Sequence, residues 1–356
     1  MSRGLVPRTT IAPVASMQTV PKPTCFLCGE HGVAAYGQLT DRLFSAPGRW
    51  ALVRCPNQSC GILWLDPMPS EADIGEAYRA YFTHEQKSAG TRLSAAKKNY
   101  LQSKFGYPMK DGQTKGLLNA AQEAIFRLRF RRKAELEGQV FYLPKVADEG
   151  RLLDVGCGNG DGLVFMSRLG WRVEGVEVDP EAVAVARSKG LIIHTGTLKD
   201  QQFPDSQFDA VTMSHVIEHV HDPISLMSEC MRILKPNGIL VMITPNACSL
   251  GHSFYGGNWV ALEPPRHLHI FTPSALRKAA GIAGFSRIEA FSSIRGAEWI
   301  VLSSQMIRRT GRGHDLGANL WLRRRWARAF QAIEAAALRF NGAIAEEIVL
   351  RARKNA

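Results

Sequence analysis

The run Leu152-Leu153-Asp154-Val155-Gly156-Cys157-Gly158-Asn159-Gly160 constrains the fold of this chain more than any other stretch. Its apolar start reads as a short strand of a parallel sheet covered on both faces. Glycines then fall at alternate positions, where main chain can take unusual angles and approach a ligand closely. A helical pattern follows through Leu163, Val164, Phe165, Met166 and Leu169, and stops at Gly170. A dinucleotide-binding turn needs glycine at its sixth place, which is Asp161 here. The strand ends instead in a carboxylate, which suits a ligand with a cationic amino-acid end better than a pyrophosphate.

A second acid fits the first. Residues 172–178 read as the next strand, and Glu177 lies 23 residues after Asp154. Sheets of this kind place there the acid that accepts both hydroxyls of a ribose. Asp179 and Pro180 read as cap and first residue of a helix over 181–189. Strands are expected at 191–194, 210–213, 239–244, 285–292 and 347–353, with helices over 223–234 and 272–280. Residues 245–273 read as a long loop, of the kind that is usually functional or disordered.

Three features together resemble the class I S-adenosylmethionine-dependent methyltransferases, in particular the ubiquinone-type and related small-molecule enzymes. They are Asp154-x-Gly156-x-Gly158-x-Gly160, the acid at 177, and a later succession. That succession is Phe203-Pro204-Asp205 with Phe208-Asp209, then Glu218-His219, then Leu234-Lys235-Pro236-Asn237-Gly238, and the resemblance covers about residues 150–291. It implies an α/β fold with a doubly wound, seven-stranded, Rossmann-like sheet. It also implies S-adenosylmethionine as cofactor, held by Asp154, Gly156, Gly158, Gly160 and Glu177. Thr197 and Leu198 would lie beside the adenine, although an acid often stands in the place of Thr197, and Ser214 and His215 would close the site at the end of the fourth strand.

Seven cysteines are present, four of them as Cys25-x2-Cys28 and Cys55-x4-Cys60, with glycine after Cys28 and Cys60. This resembles a zinc ribbon, in which four thiolates close the tetrahedron and the metal is structural. A disulfide pairing is the alternative. The start of the chain carries Pro7 and Pro13 and no sustained apolar segment, so a secretion signal is not expected. The expected division is a leader without structure at 1–22, a zinc-ribbon-like module at 23–66, and a helical linker or lid at 67–147. A methyltransferase domain would fill 148–356, with a helical insertion at about 295–342. Ser70 would cap a helix entering the linker, and Tyr78, Tyr81 and Phe82 resemble a segment often found between such a ribbon and such a core.

Net charge is +12, concentrated in 87–133 and 308–328. Charge of this sign attracts nucleic acid, anionic lipid or phosphorylated molecules without choosing among them. The basic helices within 84–145 read either as a solvated face or as a lid that tolerates anionic groups. Trp321, Leu322, Trp326, Phe330 and Ile333 form a stripe, with Arg323, Arg324, Arg325 and Arg328 off it. That stripe either packs on its own domain or lies on an anionic membrane surface. No run of 18 apolar residues occurs, so no membrane span is expected. The expected location is the cytoplasm, including the inner face of the membrane.

Methyl transfer to a hydroxyl needs a base, and His219 is the first candidate, with His267 next. Packing at a helix start is the plain alternative for His219. Arg266 (as an anion contact), His269 and Trp259 are candidate substrate residues. Glu218 and His219, with a distant acid, could also hold Mg²⁺, although that ion prefers oxygen ligands. The expected acceptor is a hydroxyl of a sugar, glycan, lipid-linked or natural-product molecule, including anionic ones. Carbon methylation of a sugar nucleotide, methylation of RNA and a catalytically dead binding module are the alternatives. RNA is disfavoured, because the chain shows neither an Asn/Asp-Pro-Pro-Tyr/Phe motif nor a Pro-Cys after the fourth strand.

Overall fold

The computed structural model describes residues 17–79, 93–107, 117–145, 149–313 and 319–356. Residues 1–16 of the leader expected at 1–22, together with Tyr81 and Phe82, lie outside the described residues. The chain begins with β1 (Thr19–Val20), β2 (Val33–Leu39), β3 (Trp50–Arg54), β4 (Leu63–Leu65) and β5 (Met68–Pro69). Helices α1 (Ala95–Phe105), α2 (Leu117–Leu128) and α3 (Phe130–Gln139) follow. The alternating part runs β6 (Arg151–Val155), α4 (Asp161–Arg168), β7 (Arg172–Glu177), α5 (Pro180–Ser188), β8 (Ile192–Thr195), β9 (Phe208–Ser214), α6 (Pro223–Ile233) and β10 (Leu234–Pro245). It continues with α7 (Leu250–Tyr255), β11 (His269–Ile270), α8 (Pro273–Ile282), β12 (Ser286–Ser293), α9 (Ala297–Thr310), α10 (Leu320–Ala337) and β13 (Glu347–Arg353).

Seven of these strands form one sheet in the order β12-β13-β10-β9-β6-β7-β8. Only β13 runs against its neighbours β10 and β12. The carboxyl ends of β6 to β10 and of β12 therefore share one edge. The central strands are apolar on both faces, as in Ala210, Val211 and Met213 of β9 and Leu240 to Ile243 of β10, all buried. That is what helices on both sides of a parallel sheet demand. The helix starts follow local chemistry. Asp179 accepts from the Glu181 amide with Pro180 at the first position, and Thr272 accepts from the Ala275 amide with Pro273 beside it.

The N-terminal module joins this core through its backbone. A second sheet has the order β11-β4-β3-β2, so a strand from the 245–273 segment completes the ribbon. His269 pairs with Trp64 and Ile270 with Leu63. The Thr272 hydroxyl donates to the Cys60 carbonyl at 2.5 Å.

Several expectations need correction. Residues 17–22 are ordered: Thr19 and Val20 pair with Pro69 and Met68, and the Gln18 amide donates to Asp73. The segment 245–273 is not an open loop, because it holds α7, two short 3-10 turns and β11. Ser70 opens a turn that leads to a 3-10 helix over Ile74–Tyr78, and Met68 and Pro69 ahead of it are taken by the pairing with β1. On α10, Phe330 is buried, but Trp321, Leu322, Trp326 and Ile333 are exposed. The face that packs carries Ala327, Phe330, Gln331 and Glu334, with the Gln331 amide donating to the Ile294 carbonyl. The aromatic stripe is therefore not the face that packs. Among the described residues no helix is long and apolar enough to cross a membrane.

One buried ion pair fixes the seam between ribbon and core. The Arg266 guanidinium, fully buried, donates to both carboxylate oxygens of Asp41 at 2.8 and 2.9 Å, and through Nε to Glu263 at 2.8 Å. Removing one partner strands a buried charge. We expect Asp41→Ala to lower the unfolding free energy by about 3 kcal/mol in urea titration.

Candidate active site at the carboxyl edge of the sheet

Strand β6 ends at Val155, and the chain bends back through Gly156, Gly158 and Gly160, all at positive φ. At Gly156 an added Cβ would lie 2.4 Å from Val216, so bare backbone is required for close packing. Gly158 has φ +53°, and a Cβ added there would meet open space. Glu177 ends the neighbouring strand. One of its carboxylate oxygens accepts from the Gly158 amide at 2.8 Å, and the other accepts from the amides of Val178 and Asp179. Asp154 accepts from the Thr212 hydroxyl at 2.8 Å. Burial pushes the Asp154 carboxyl up to about 7, with the Thr212 bond opposing and the Glu177 charge adding. Two buried carboxylates thus flank one bend with an open side. That suits a ligand carrying both a cationic group and vicinal hydroxyls.

Beyond β8, Thr197 donates from its amide and its hydroxyl to Asp200, at 2.8 and 2.7 Å, and Leu198 is buried. The acid in this turn is therefore Asp200, which the sequence did not single out. Ser214 closes β9, and His215 follows in a left-handed conformation at φ 56°. The His215 imidazole lies 3.2 Å from Glu218 and 3.1 Å from Glu347. Burial works to lower its pKa, but the two carboxylates outweigh it and hold the imidazolium up to about 10. His215 is thus a fixed cation between two acids.

His219 and His267 behave oppositely. Their rings lie 4.7 Å apart, centroid to centroid. The Nδ1 of His219 is 3.1 Å from the Arg266 carbonyl, with the Tyr78 hydroxyl 3.0 Å from the same nitrogen. The Nδ1 of His267 is 2.7 Å from the Ala261 carbonyl. A carbonyl only accepts, so each Nδ1 carries the proton and each Nε2 keeps its lone pair. Burial first, and then the neighbouring His267, lowers the His219 pKa to about 4. Burial brings His267 to about 4 as well. Burial would raise Glu218, but the bond and charge of His215 hold it down to about 2. At neutral pH the cluster is one carboxylate and two neutral imidazoles. One ligand atom from each of Glu218, His219 and His267 lies within 4.8 Å of the others. The third partner of the Glu218–His219 pair is thus an imidazole and not a distant acid, and this set suits a transition ion better than Mg²⁺.

Three candidate substrate residues are placed elsewhere. Arg266 spends its guanidinium on Asp41 and Glu263, so it is not an anion contact. His269 is buried on β11 between the rings of Phe26 and Phe271, at 4.9 and 6.1 Å. Trp259 is buried, with its indole donating to Glu346 at 2.8 Å. Sequence reading missed Glu263, whose spacing four before His267 was visible, and Glu347, which only the sheet register brings to His215.

The four paired cysteines converge. Their sulfurs lie within 4.8 Å of one another, with Cys25–Cys60 at 3.8 Å and Cys28–Cys55 at 3.3 Å. Thiolates around a tetrahedral zinc sit about 3.8 Å apart at Zn–S of about 2.3 Å, so the donor set fits such an ion.

Residues 127–290 match the family described as a methyltransferase domain. Those residues lie in an α/β fold built on a seven-stranded, mostly parallel sheet, and over them the chain resembles a methyltransferase domain. It is 33% identical over 151 residues to a ubiquinone biosynthesis O-methyltransferase of Cereibacter sphaeroides, covering 39% of this chain and 61% of that protein. It is 31% identical over 148 residues to a probable S-adenosylmethionine-dependent methyltransferase of Mycolicibacterium smegmatis, covering 41% and 56%. The chain thus spans about three-fifths of the length of the curated relatives it matches. Among solved structures, a methyltransferase from Archaeoglobus fulgidus aligns with a TM-score of 0.42 and 21% identity, covering 65% of this chain and 99% of that one.

The protonation pattern is testable in the free protein. Nitrogen-detected NMR should show His215 doubly protonated at pH 7, and His219 and His267 as neutral Nδ1–H tautomers down to about pH 5. The raised His215 pKa adds stability that is full below about 6.5 and is lost as pH rises toward about 10.

Proposed function

We propose that this protein methylates a hydroxyl oxygen of a small acceptor, a sugar, glycan, lipid-linked or natural-product molecule, with S-adenosylmethionine as donor. When bound, that cofactor supplies an electrophilic methyl group on a sulfonium. In this reading Asp154 pairs with the ammonium of its amino-acid end and Glu177 accepts its ribose hydroxyls, while Gly156, Gly158 and Gly160 let the backbone come close. Leu198 offers apolar contact and Thr197 main chain beside the adenine, and Ser214 and His215 border the acceptor side. His219 takes the proton of the acceptor hydroxyl at Nε2. The observation that carries the reading is the neutral His219 imidazole, its Nδ1 fixed by a carbonyl, beside ionised Glu218 on the edge that also holds Asp154 and Glu177. The Glu218 charge stabilises the imidazolium as it forms. His267 sits behind it as a second proton acceptor.

Zinc in the Cys25, Cys28, Cys55 and Cys60 site would be structural, since four thiolates leave no position for water. Exposed Trp321, Leu322 and Trp326 beside Arg323, Arg324 and Arg325 support peripheral contact of α10 with an anionic membrane surface.

The central test is turnover with labelled S-adenosylmethionine. Asp154→Ala should abolish donor binding by calorimetry. His219→Gln should keep binding and lose about 10²- to 10⁴-fold in kcat. Normal turnover by His219→Gln removes it as base, and a methyl found on carbon overturns the oxygen assignment. Donor affinity should rise as pH rises through about 7, because ionised Asp154 binds the ammonium and its protonated form does not. Metal analysis should find about one zinc per chain, and a strong chelator should lower the melting temperature.

A further inference from the structure

A cleft of about 990 Å³ opens between α3 on one side and α9 and α10 on the other, outside the bend and the imidazole pair. Among the described residues Lys97, Arg129, Arg131, Arg132 and Arg324 line it, against two acids, Glu135 and Glu298. Glu298 is already paired with Arg131 and Arg328. Among the described residues Lys97, Arg129, Arg132 and Arg324 make no ion pair. Burial, with Arg328 adding and Glu135 opposing, pulls the Arg131 pKa down even though Arg131 is paired with Glu298. Gly296 also lines the cleft and stands at the N-terminus of α9, a helix of 14 residues whose first amides favour an anion. Exposed Trp299 gives the wall an apolar plane.

Location ties this cleft to the acceptor side. Gly296 lies three residues beyond the end of β12, on the edge where β6 to β10 also end. Ser293 at that end is opposite Glu347 in the register, and Glu347 holds His215. The volume is that of a small-molecule site, not of a channel for a polymer strand.

We propose that this cleft binds the phosphate or diphosphate end of the acceptor, with the hydroxyl to be methylated held at the His219–His267 end. The proposal rests on the transferase reading and names its substrate class: a phosphorylated acceptor, whether linked to a nucleoside or to a lipid. The reacting end meets neutral imidazoles and the charged end meets guanidinium groups, so one molecule spans both environments without burying an unpaired charge.

Calorimetry on the full chain decides it. Inorganic pyrophosphate is the first probe, with uridine diphosphate and geranyl diphosphate as arms that separate a nucleoside from a lipid source. The Arg132→Ala, Arg324→Ala double variant should weaken pyrophosphate binding about tenfold or more, since each charge-assisted bond contributes on that scale. S-adenosylmethionine affinity should stay within about twofold of wild type, and Arg132→Lys with Arg324→Lys should recover most of the loss. Pyrophosphate affinity equal in wild type and the alanine variant overturns the proposal. So does a single-stranded RNA oligonucleotide that binds far tighter than either diphosphate and loses that binding in the same variant. If the wild type fails to bind S-adenosylmethionine while pyrophosphate binding holds, the transferase reading fails and the word acceptor falls with it.

Discussion

The Arg266 guanidinium, buried and clamped by Asp41 and Glu263, is the interaction on which the arrangement at the sheet edge depends. Its side chain reaches from the segment after α7 into the N-terminal module. It also donates to the Ala77 carbonyl, next to Tyr78. Its backbone carbonyl faces Nδ1 of His219, while the Tyr78 hydroxyl faces the same nitrogen. Glu263, the other partner of the clamp, stands 3.8 Å from Nε2 of His267. A single desolvated cation therefore sets the position of three ring systems. An ion pair of this kind contributes little net stability, since desolvation offsets most of the attraction, but it disfavours every alternative geometry that leaves it unpaired.

The edge of the sheet is electrostatically divided. Glu218, Glu346 and Glu347 are buried there, and the His215 imidazolium stands between Glu218 and Glu347. Glu346 is the odd one out. Burial, joined by the charge of Glu347, raises its pKa to about 7 even though the Trp259 indole donates to it. Acid charge is thus concentrated near the imidazoles and basic charge near α3 and α10. The polarity along this edge follows from which residues the strand register brings together, not from overall composition.

Much of the alternating core was legible in the residues. Strand and helix bounds from 151 to 245 fall within a few residues of expectation, because a buried parallel strand, a glycine bend and a Pro-led helix each leave a local signature. The cysteine cluster was legible for the same reason, since two short spacings and two glycines predict one convergence. What the sequence concealed was relational. Arg266 reads as an anion contact for a substrate until its partner 225 positions away in the chain is known. His269 and Trp259 read as polar-capable residues of a loop until β11 and Glu346 show where they pack. The stripe on α10 was visible, but the face that packs carries Ala327, Phe330, Gln331 and Glu334, which only the tertiary structure reveals. Side-chain type predicted chemistry, and only tertiary contacts decided access.

The pairing of β4 with β11 has a consequence for how the chain matures. His269 completes a ribbon sheet whose other edge begins at Val33, so the module leaves the ribosome about two hundred residues before its last strand exists. During synthesis that sheet has an unpaired edge and a seam lacking Phe271 and Thr272. Its closure must wait for the chain that carries His267. One stretch, His267 to Ile270, thus supplies both the last strand of the ribbon sheet and the ring that stands beside His219.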